Sequence, residues 1–333
     1  MANMDQTKKK IALIHRYPEH RIRETNAAFP YLKDKGIDVL TFKSFDRMSN
    51  RKKLFKSLLW LIYAPSLVFR KGYDVIYCDD SFPYYAALVK LASPKSRVII
   101  RLGDFHLMYY TKGLTYKFFH YLEKFCWKFA HKILVISESM QEHLESEGFK
   151  SIAVLDPVEP SDFIPDPTVQ QEDNIVMFHG LLTKNKNIDL MIDAAKRLPD
   201  VWFWIVGGGP DYHRLQGISG KNVVFAGWHE YKHMKTLINN CTIGLALRSD
   251  NEGNEYVVTS PYLQYAAMGK PCLVTKRKVF GKYKWQFSTV EEMVSMIKQL
   301  LKAPEEGTKL RKRILKRHNA EKIAGQIWFQ LSS

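Results

Sequence analysis

The chain has 333 residues, 46% hydrophobic and 25% charged. That is the balance of a globular protein with room for two domains, and it excludes disorder, collagen and coiled coil. Lysine and arginine number 50 against 34 acids, a net charge of +16; residues 1–130 hold 24 basic and 11 acidic side chains, the remainder 26 and 23. The N-terminal half is therefore expected to face something anionic: nucleic acid, an acidic membrane surface or a phosphorylated substrate.

Cys78, Cys126, Cys241 and Cys272 lie far apart without CxxC spacing, so neither a disulfide framework nor a structural zinc is expected, and a reducing cytoplasm is the simplest home. The opening MANMDQTKKKIALIHRY lacks a signal-peptide core. The longest apolar stretch, Ser57 to Phe69, is shorter than the roughly 20 residues that span a bilayer and contains Pro65.

In chain order, Lys10–His15 reads as a strand, Ala27–Lys35 as a helix closing on Gly36, and Ile37–Phe42, Asp74–Cys78, Arg97–Arg101, Lys132–Ile136 and Ile152–Leu155 as further strands with helical patterns between them. Four prolines from Pro157 to Pro167 and the polar run QQEDN mark a linker. A second alternation follows. Its strands are IVMFHG, WFWIVGGG, NVVFAG, TIGLAL and PCLVT; its helices lie near Ile188–Arg197, Tyr231–Asn239 and Leu263–Met268. Alternation of this kind predicts α/β domains with parallel sheets, residues 1–165 and 166–305, the last stretch (306–333) packing back on the first domain as one long basic helix. Open sheets of this type bind ligands at their strand C-termini, which predicts a cleft between the domains with a nucleotide in one lobe and an acceptor in the other.

Two loops stand out. Gly207-Gly208-Gly209-Pro210 follows a strand, where glycines let backbone N–H groups reach a phosphate; a tight strand-to-helix turn needs the same residues. His179-Gly180 followed by Lys184 and Lys186 lies at the first strand-to-helix loop of the second domain, where the lysines meet a diphosphate or simply face solvent.

The series from MFHGLLTKNKNIDL to WFWIVGGGPD, then NVVFAGW with Trp228, then LQYAAMGKPCLV resembles the nucleotide-sugar domain of GT-B glycosyltransferases. HKILVISESMQEHL with LDPVEPSDFIP resembles the end of their first domain. The resemblance implies two Rossmann-like doubly wound domains facing across a cleft. Leu181 stands where the common retaining class has arginine, and Gln264 where it has its second glutamate; Glu252 and Glu255 lie upstream at another spacing. Both departures count against that chemistry. SPYLQYAAMGKPCLVTKRKVFGKYKWQF is more similar to the donor segment of the membrane-associated, xanthan-type glucuronosyltransferases, which invert, and RLGDF to their RxSD segment.

That resemblance implies Asp104 as catalytic base, with His106 as an alternative base or acceptor-orienting group, and Gln264 as a contact to the nucleotide. Ser260-Pro261 replace the family's Met-Lys pair, so Arg248 or Lys186 is expected to contact the diphosphate instead. Tyr256 and the Tyr283–Trp285 pair line the donor pocket or, for Trp285 at least as readily, the core. The co-substrate implied is a UDP-sugar, with no metal: no DxD ends a strand in the donor half, and Asp79-Asp80 read as a loop or helix cap.

Between Lys43 and Lys71 eight basic residues, among them Arg51, Lys52, Lys53 and Lys56, flank LFKSLLWLIYAPSLVF with Trp60 inside it. Such a segment suits the headgroup layer of an anionic membrane and a lipid-linked or oligosaccharide acceptor at the inner face of the plasma membrane. Tyr116–Phe129 has a similar aromatic flavour but reads as core. Nucleic-acid binding is the rival for the charge, without an RNP-type strand or helix-turn-helix pattern behind it. A non-catalytic scaffold is a third reading.

Overall fold

The computed structural model describes residues 9–15, 22, 26–41, 65–66, 68–79, 85–103, 113–169 and 174–333. Arg51, Lys52, Lys53, Lys56, Trp60, Asp104 and His106 lie outside them. The chain divides into two units, Met1–Pro157 with Ala320–Ser333, and Val158–Asn319.

The first unit runs β1 (Ile11–His15), α1 (Phe29–Lys33), β2 (Asp38–Thr41), β3 (Val75–Asp79), α2 (Tyr85–Ala92), β4 (Arg97–Leu102), α3 (Gly113–Trp127), β5 (Lys132–Val135), α4 (Glu138–Ser146) and β6 (Ile152–Ala153). All strand pairs are parallel, in the order β2-β1-β3-β4-β5-β6. Every residue of β1 and β3 is buried, as a strand covered on both faces requires, which is why these segments are apolar up to their last residues, His15 and Asp79. Strand order reverses between β1 and β3.

The second unit runs β7 (Ile175–His179), α5 (Asp189–Arg197), β8 (Trp202–Val206), α6 (Tyr212–Ile218), β9 (Val223–Gly227), α7 (Tyr231–Asn240), β10 (Ile243–Ala246), α8 (Ser260–Ala267), β11 (Cys272–Thr275), β12 (Gln286–Phe287), α9 (Val290–Leu300) and α10 (Glu305–Arg317). Its parallel sheet has the order β12-β11-β10-β7-β8-β9, so the switch point lies between β7 and β10, where an open α/β sheet receives its ligand. β9 is the edge, and its alternating half-buried and exposed residues show it.

The C-terminal stretch is not one helix. It breaks at His318–Asn319, where His318 is buried and its carbonyl accepts the Val158 N–H at 2.7 Å. α10 keeps Leu310 and Ile314 in the second unit's core, whereas α11 (Ala320–Ser332) places Ile323, Ala324, Ile327 and Leu331 in the first unit's core beside Phe29 and Leu32 of α1. The chain thus crosses between units at 157/158 and 319/320, not at 165/166 and 305/306.

α3 departs from its expected core role. Leu114, Phe118, Tyr121 and Phe125 are exposed, and it is Glu123, Cys126 and Trp127 that are buried. All four cysteines are unpaired and buried; burial first, with Asp79 beside it, pushes the Cys78 thiol up to about 12. Among the described residues no helix is long and apolar enough to cross a membrane.

Candidate functional site

At the switch point of the second unit two loops meet, one after β7 and one after β10. The 3-10 turn Lys184–Lys186 is tied to the other loop through Asn185: its carbonyl accepts the Ser249 N–H at 2.9 Å, and its Oδ1 accepts Ser249 Oγ at 2.7 Å and Asn254 Nδ2 at 3.0 Å. Arg248 is held in turn, its N–H donating to Thr275 Oγ1 at 3.1 Å and its carbonyl accepting from Arg277 at 3.1 Å. Arg277 also lies 3.6 Å from Glu255 and 3.7 Å from Asp250. Gly180, Lys184, Lys186, Arg248 and Tyr256 therefore belong to one assembly, with the Lys278 ammonium 5.7 Å from the Tyr256 ring centre.

The assembly has unsatisfied polar atoms. His179 Nε2, Arg248 Nε, Asn254 Oδ1, Gln264 Oε1 and Arg277 Nε are all buried with no hydrogen-bond partner among the described residues. Leaving a buried donor or acceptor unmet costs about 1–3 kcal/mol; five of the thirteen such atoms among the described residues belong to the end of β7, the loops after β10 and β11, and α8, where a polar ligand in a strand-end crevice would meet them. His179 ends β7 with its ring centre 5.0 Å from that of Tyr265. Burial, then Lys186, lowers its pKa to about 3, so the imidazole is neutral at neutral pH and offers one donor and one acceptor. Gln264 lies on α8, whose N-terminus is capped by Thr259 Oγ1 accepting the Tyr262 N–H; Ser260, the first helical residue, is exposed.

Two residues of the glycine loop are required to be glycine by packing. A Cβ on Gly207 would stand 1.9 Å from the Gly180 carbonyl oxygen, and one on Gly209 2.4 Å from that of Leu182. The two residues also have φ of +143° and +154°. Gly180 N–H donates to Val206 O, Leu182 N–H to Gly208 O, and Gly207 N–H to Gly227 O at 2.7 Å. Gly207 and Gly209 thus let the loops after β7 and β8 lie side by side, and the Gly207 amide is already engaged. Trp228 follows the edge strand β9 with its ring exposed, and Leu181 is exposed too. Tyr283 and Trp285 are core residues: the Tyr283 hydroxyl donates to Cys272 O at 2.6 Å and Trp285 Nε1 to Glu306 at 3.0 Å.

The first unit's switch point is built from paired charges. Asp79, fully buried at the end of β3, accepts Asn26 Nδ2 at 2.6 Å and Arg101 at 3.1 Å, and Arg101 also donates to Asp156. Burial alone lowers the guanidinium's pKa, but Asp79 and then Asp156 more than reverse that, so it stays charged. Asp79 is neither a loop residue nor a helix cap. Among the described residues no three His, Cys, Asp or Glu side chains group so as to hold a metal.

Residues 161–317 match the family model for glycosyl transferases group 1, and residues 13–157 that for glycosyltransferase family 4. The fold is that of a GT-B glycosyltransferase of the group 1, family 4-like type. Solved structures agree across the whole length. The crystal structure of Anabaena HepE in complex with UDP and glucose superposes with a TM-score of 0.74 at 15% identity over 98% of this chain and 100% of that one. Sucrose-phosphate synthase from Thermosynechococcus elongatus gives 0.78 at 15% identity over 97% and 99%. The lipopolysaccharide outer core galactosyltransferase WaaB gives 0.68 at 16% identity over 96% and 99%. No curated protein matches the sequence significantly. The sequence motifs point to His179, Gly180, Lys184, Lys186, Arg248 and Gln264, but not to Asn185, Ser249, Asn254 and Arg277. The run TKRK after β11 was the available signal for Arg277.

Proposed function

We propose that the protein transfers a sugar from a UDP-sugar to a lipid-linked or glycan acceptor, with inversion, at the inner face of an anionic membrane. The observation that carries the donor half is the set of buried, unsatisfied polar atoms of His179 at the end of β7, Arg248 and Asn254 after β10, Gln264 on α8 and Arg277 after β11. The UDP-bound and UDP-glucose-bound structures of Anabaena HepE, which share the fold, support a uridine nucleotide there. Gln264 offers one amide acceptor and one donor to the nucleotide. Lys184, Lys186, Arg248 and Arg277 offset the charge that develops on the leaving diphosphate, the work a divalent ion does elsewhere.

On the acceptor side, a sugar or lipid hydroxyl is too weak an acid to ionise unaided. Asp104 takes its proton as the oxygen attacks the anomeric carbon and the bond to UDP breaks. Leu181 and Gln264, in place of arginine and glutamate, favour this route over the retaining one. Glucuronate, named by the resemblance, is the first sugar to test.

A thermal-shift panel of UDP, GDP, UDP-glucose and UDP-glucuronate tests the donor. Uridine nucleotides should raise Tm by several degrees near saturation, since binding to the native state alone adds about 2.7 kcal/mol at a hundred times Kd; no response to any of the four overturns the reading. Asp104→Asn should cut turnover at least about a hundredfold with UDP affinity unchanged, and undiminished turnover would remove the base assignment.

A further inference from the structure

The helix α3 is built inside out. Each helical residue advances about 100°, so Leu114, Phe118, Tyr121 and Phe125 fall within a stripe roughly 60° wide. They are 85%, 63%, 72% and 47% exposed. Lys117 and Lys128, also exposed, lie along one edge of that stripe. From the lysine edge round to the opposite side, the helix faces a cluster of charges. Lys124 Nζ donates to Glu147 at 2.7 Å, His120 lies 3.6 Å from Glu147 and 3.9 Å from Glu123, and Glu123 is buried. Turning the helix to hide the stripe would break these pairs and expose Trp127, which is buried against Phe149. The outward apolar face is thus the stable arrangement and not a misplaced core.

Contiguous exposed apolar surface marks a contact site, and the charges on this one select its occupant. The outward face carries lysines and no acid; the one carboxylate of the helix, Glu123, points inward. A second copy of the chain would bring two lysine-edged stripes together, whereas an anionic bilayer accepts rings and ammonium groups at once. We propose that α3 docks the protein on an anionic lipid surface, with Leu114, Phe118, Tyr121 and Phe125 entering the boundary between headgroups and acyl chains and Lys117 and Lys128 meeting lipid phosphates. This goes beyond the basic segment 43–71 and identifies a second, separately testable contact; its purpose rests on the transferase reading, since a lipid-linked acceptor is reached only at the membrane.

The test is co-sedimentation of the full chain with phosphatidylcholine vesicles, with and without a third phosphatidylglycerol. The wild type should bind the anionic vesicles and release as salt rises. Leu114→Gln/Phe118→Gln/Phe125→Gln should weaken binding at least about tenfold, and Lys117→Gln/Lys128→Gln about thirtyfold, at roughly a fivefold loss per surface lysine. Both variants should keep the wild-type melting temperature and UDP affinity. Unchanged vesicle binding in both variants, or none by the wild type, overturns the proposal. So does a dimer, seen by light scattering, that the apolar variant converts to monomer. UDP binding without vesicle binding removes the docking surface alone; vesicle binding without UDP binding removes the transferase reading and leaves the docking surface standing.

Discussion

The two domains fill the same crevice of the same architecture differently. Where strand order reverses in the first, Asp79 is bound by Asn26 and Arg101, and Arg101 by Asp156, so that both carboxylates are paired although Arg101 Nε is left without a partner. At the corresponding place in the second, Arg248, Asn254, Gln264 and Arg277 each keep a buried polar atom without a partner. Buried charge that is internally paired acts as structure, and buried polarity left unmet awaits a ligand. The first kind of residue should therefore be needed for folding and the second for binding.

The sharpest way to break that contrast is a pair of substitutions. Arg101→Leu strands Asp79 without its cation and should cost about 3–5 kcal/mol in a denaturant melt. Arg277→Leu, whose partner Asp250 is fully exposed and Glu255 partly so, should cost less, about 1–2 kcal/mol, while weakening UDP at least about tenfold, as loss of a charged hydrogen bond does. Equal destabilisation by the two would erase the distinction.

His179 sharpens the comparison through pH. Its folded pKa of about 3 lies below the ordinary 6.5 because of burial first and Lys186 second. The unfolded chain therefore binds the extra proton first as pH falls. The stability that His179 contributes is complete above pH 6.5 and is lost progressively down to about pH 3, on the order of several kcal/mol in all. His179→Asn should flatten the stability profile over that window; an unchanged profile would mean the imidazole is not held neutral. The smallest effect expected is at the α8 cap, where Thr259→Ala should lower the melting free energy by ~1 kcal/mol. Any larger fall in UDP affinity would mean that the helix end itself helps to hold the nucleotide.

Most of the architecture was legible because buried parallel strands leave four-residue apolar runs closed by one polar residue, as in IALIH, VIYCD and IVMFH. The break at His318–Asn319 was legible in principle too. The apolar residues of α10 and those of α11 differ in phase by about 120° on a continuous helix, so no single helix could bury both. α3 misled because spacing reveals that a stripe exists and not which way it points. Only the carboxylates of Glu123 and Glu147, brought beside His120 and Lys124 by folding, decide it. In the site, the strand-end loops were legible from His179, Lys184 and Arg248. Asn185 and Asn254 were not, because their work is a hydrogen bond between loops 69 residues apart.

The crossing at 319/320 also sets an order of events during synthesis. Val158–Asn319 is an unbroken segment whose sheet and helices are complete once residue 319 has emerged, whereas the N-terminal core waits for Ile323, Ala324, Ile327 and Leu331. The half of the protein made first is therefore finished last, and the nascent chain must carry a partly open apolar core past the ribosome until its closing helix arrives.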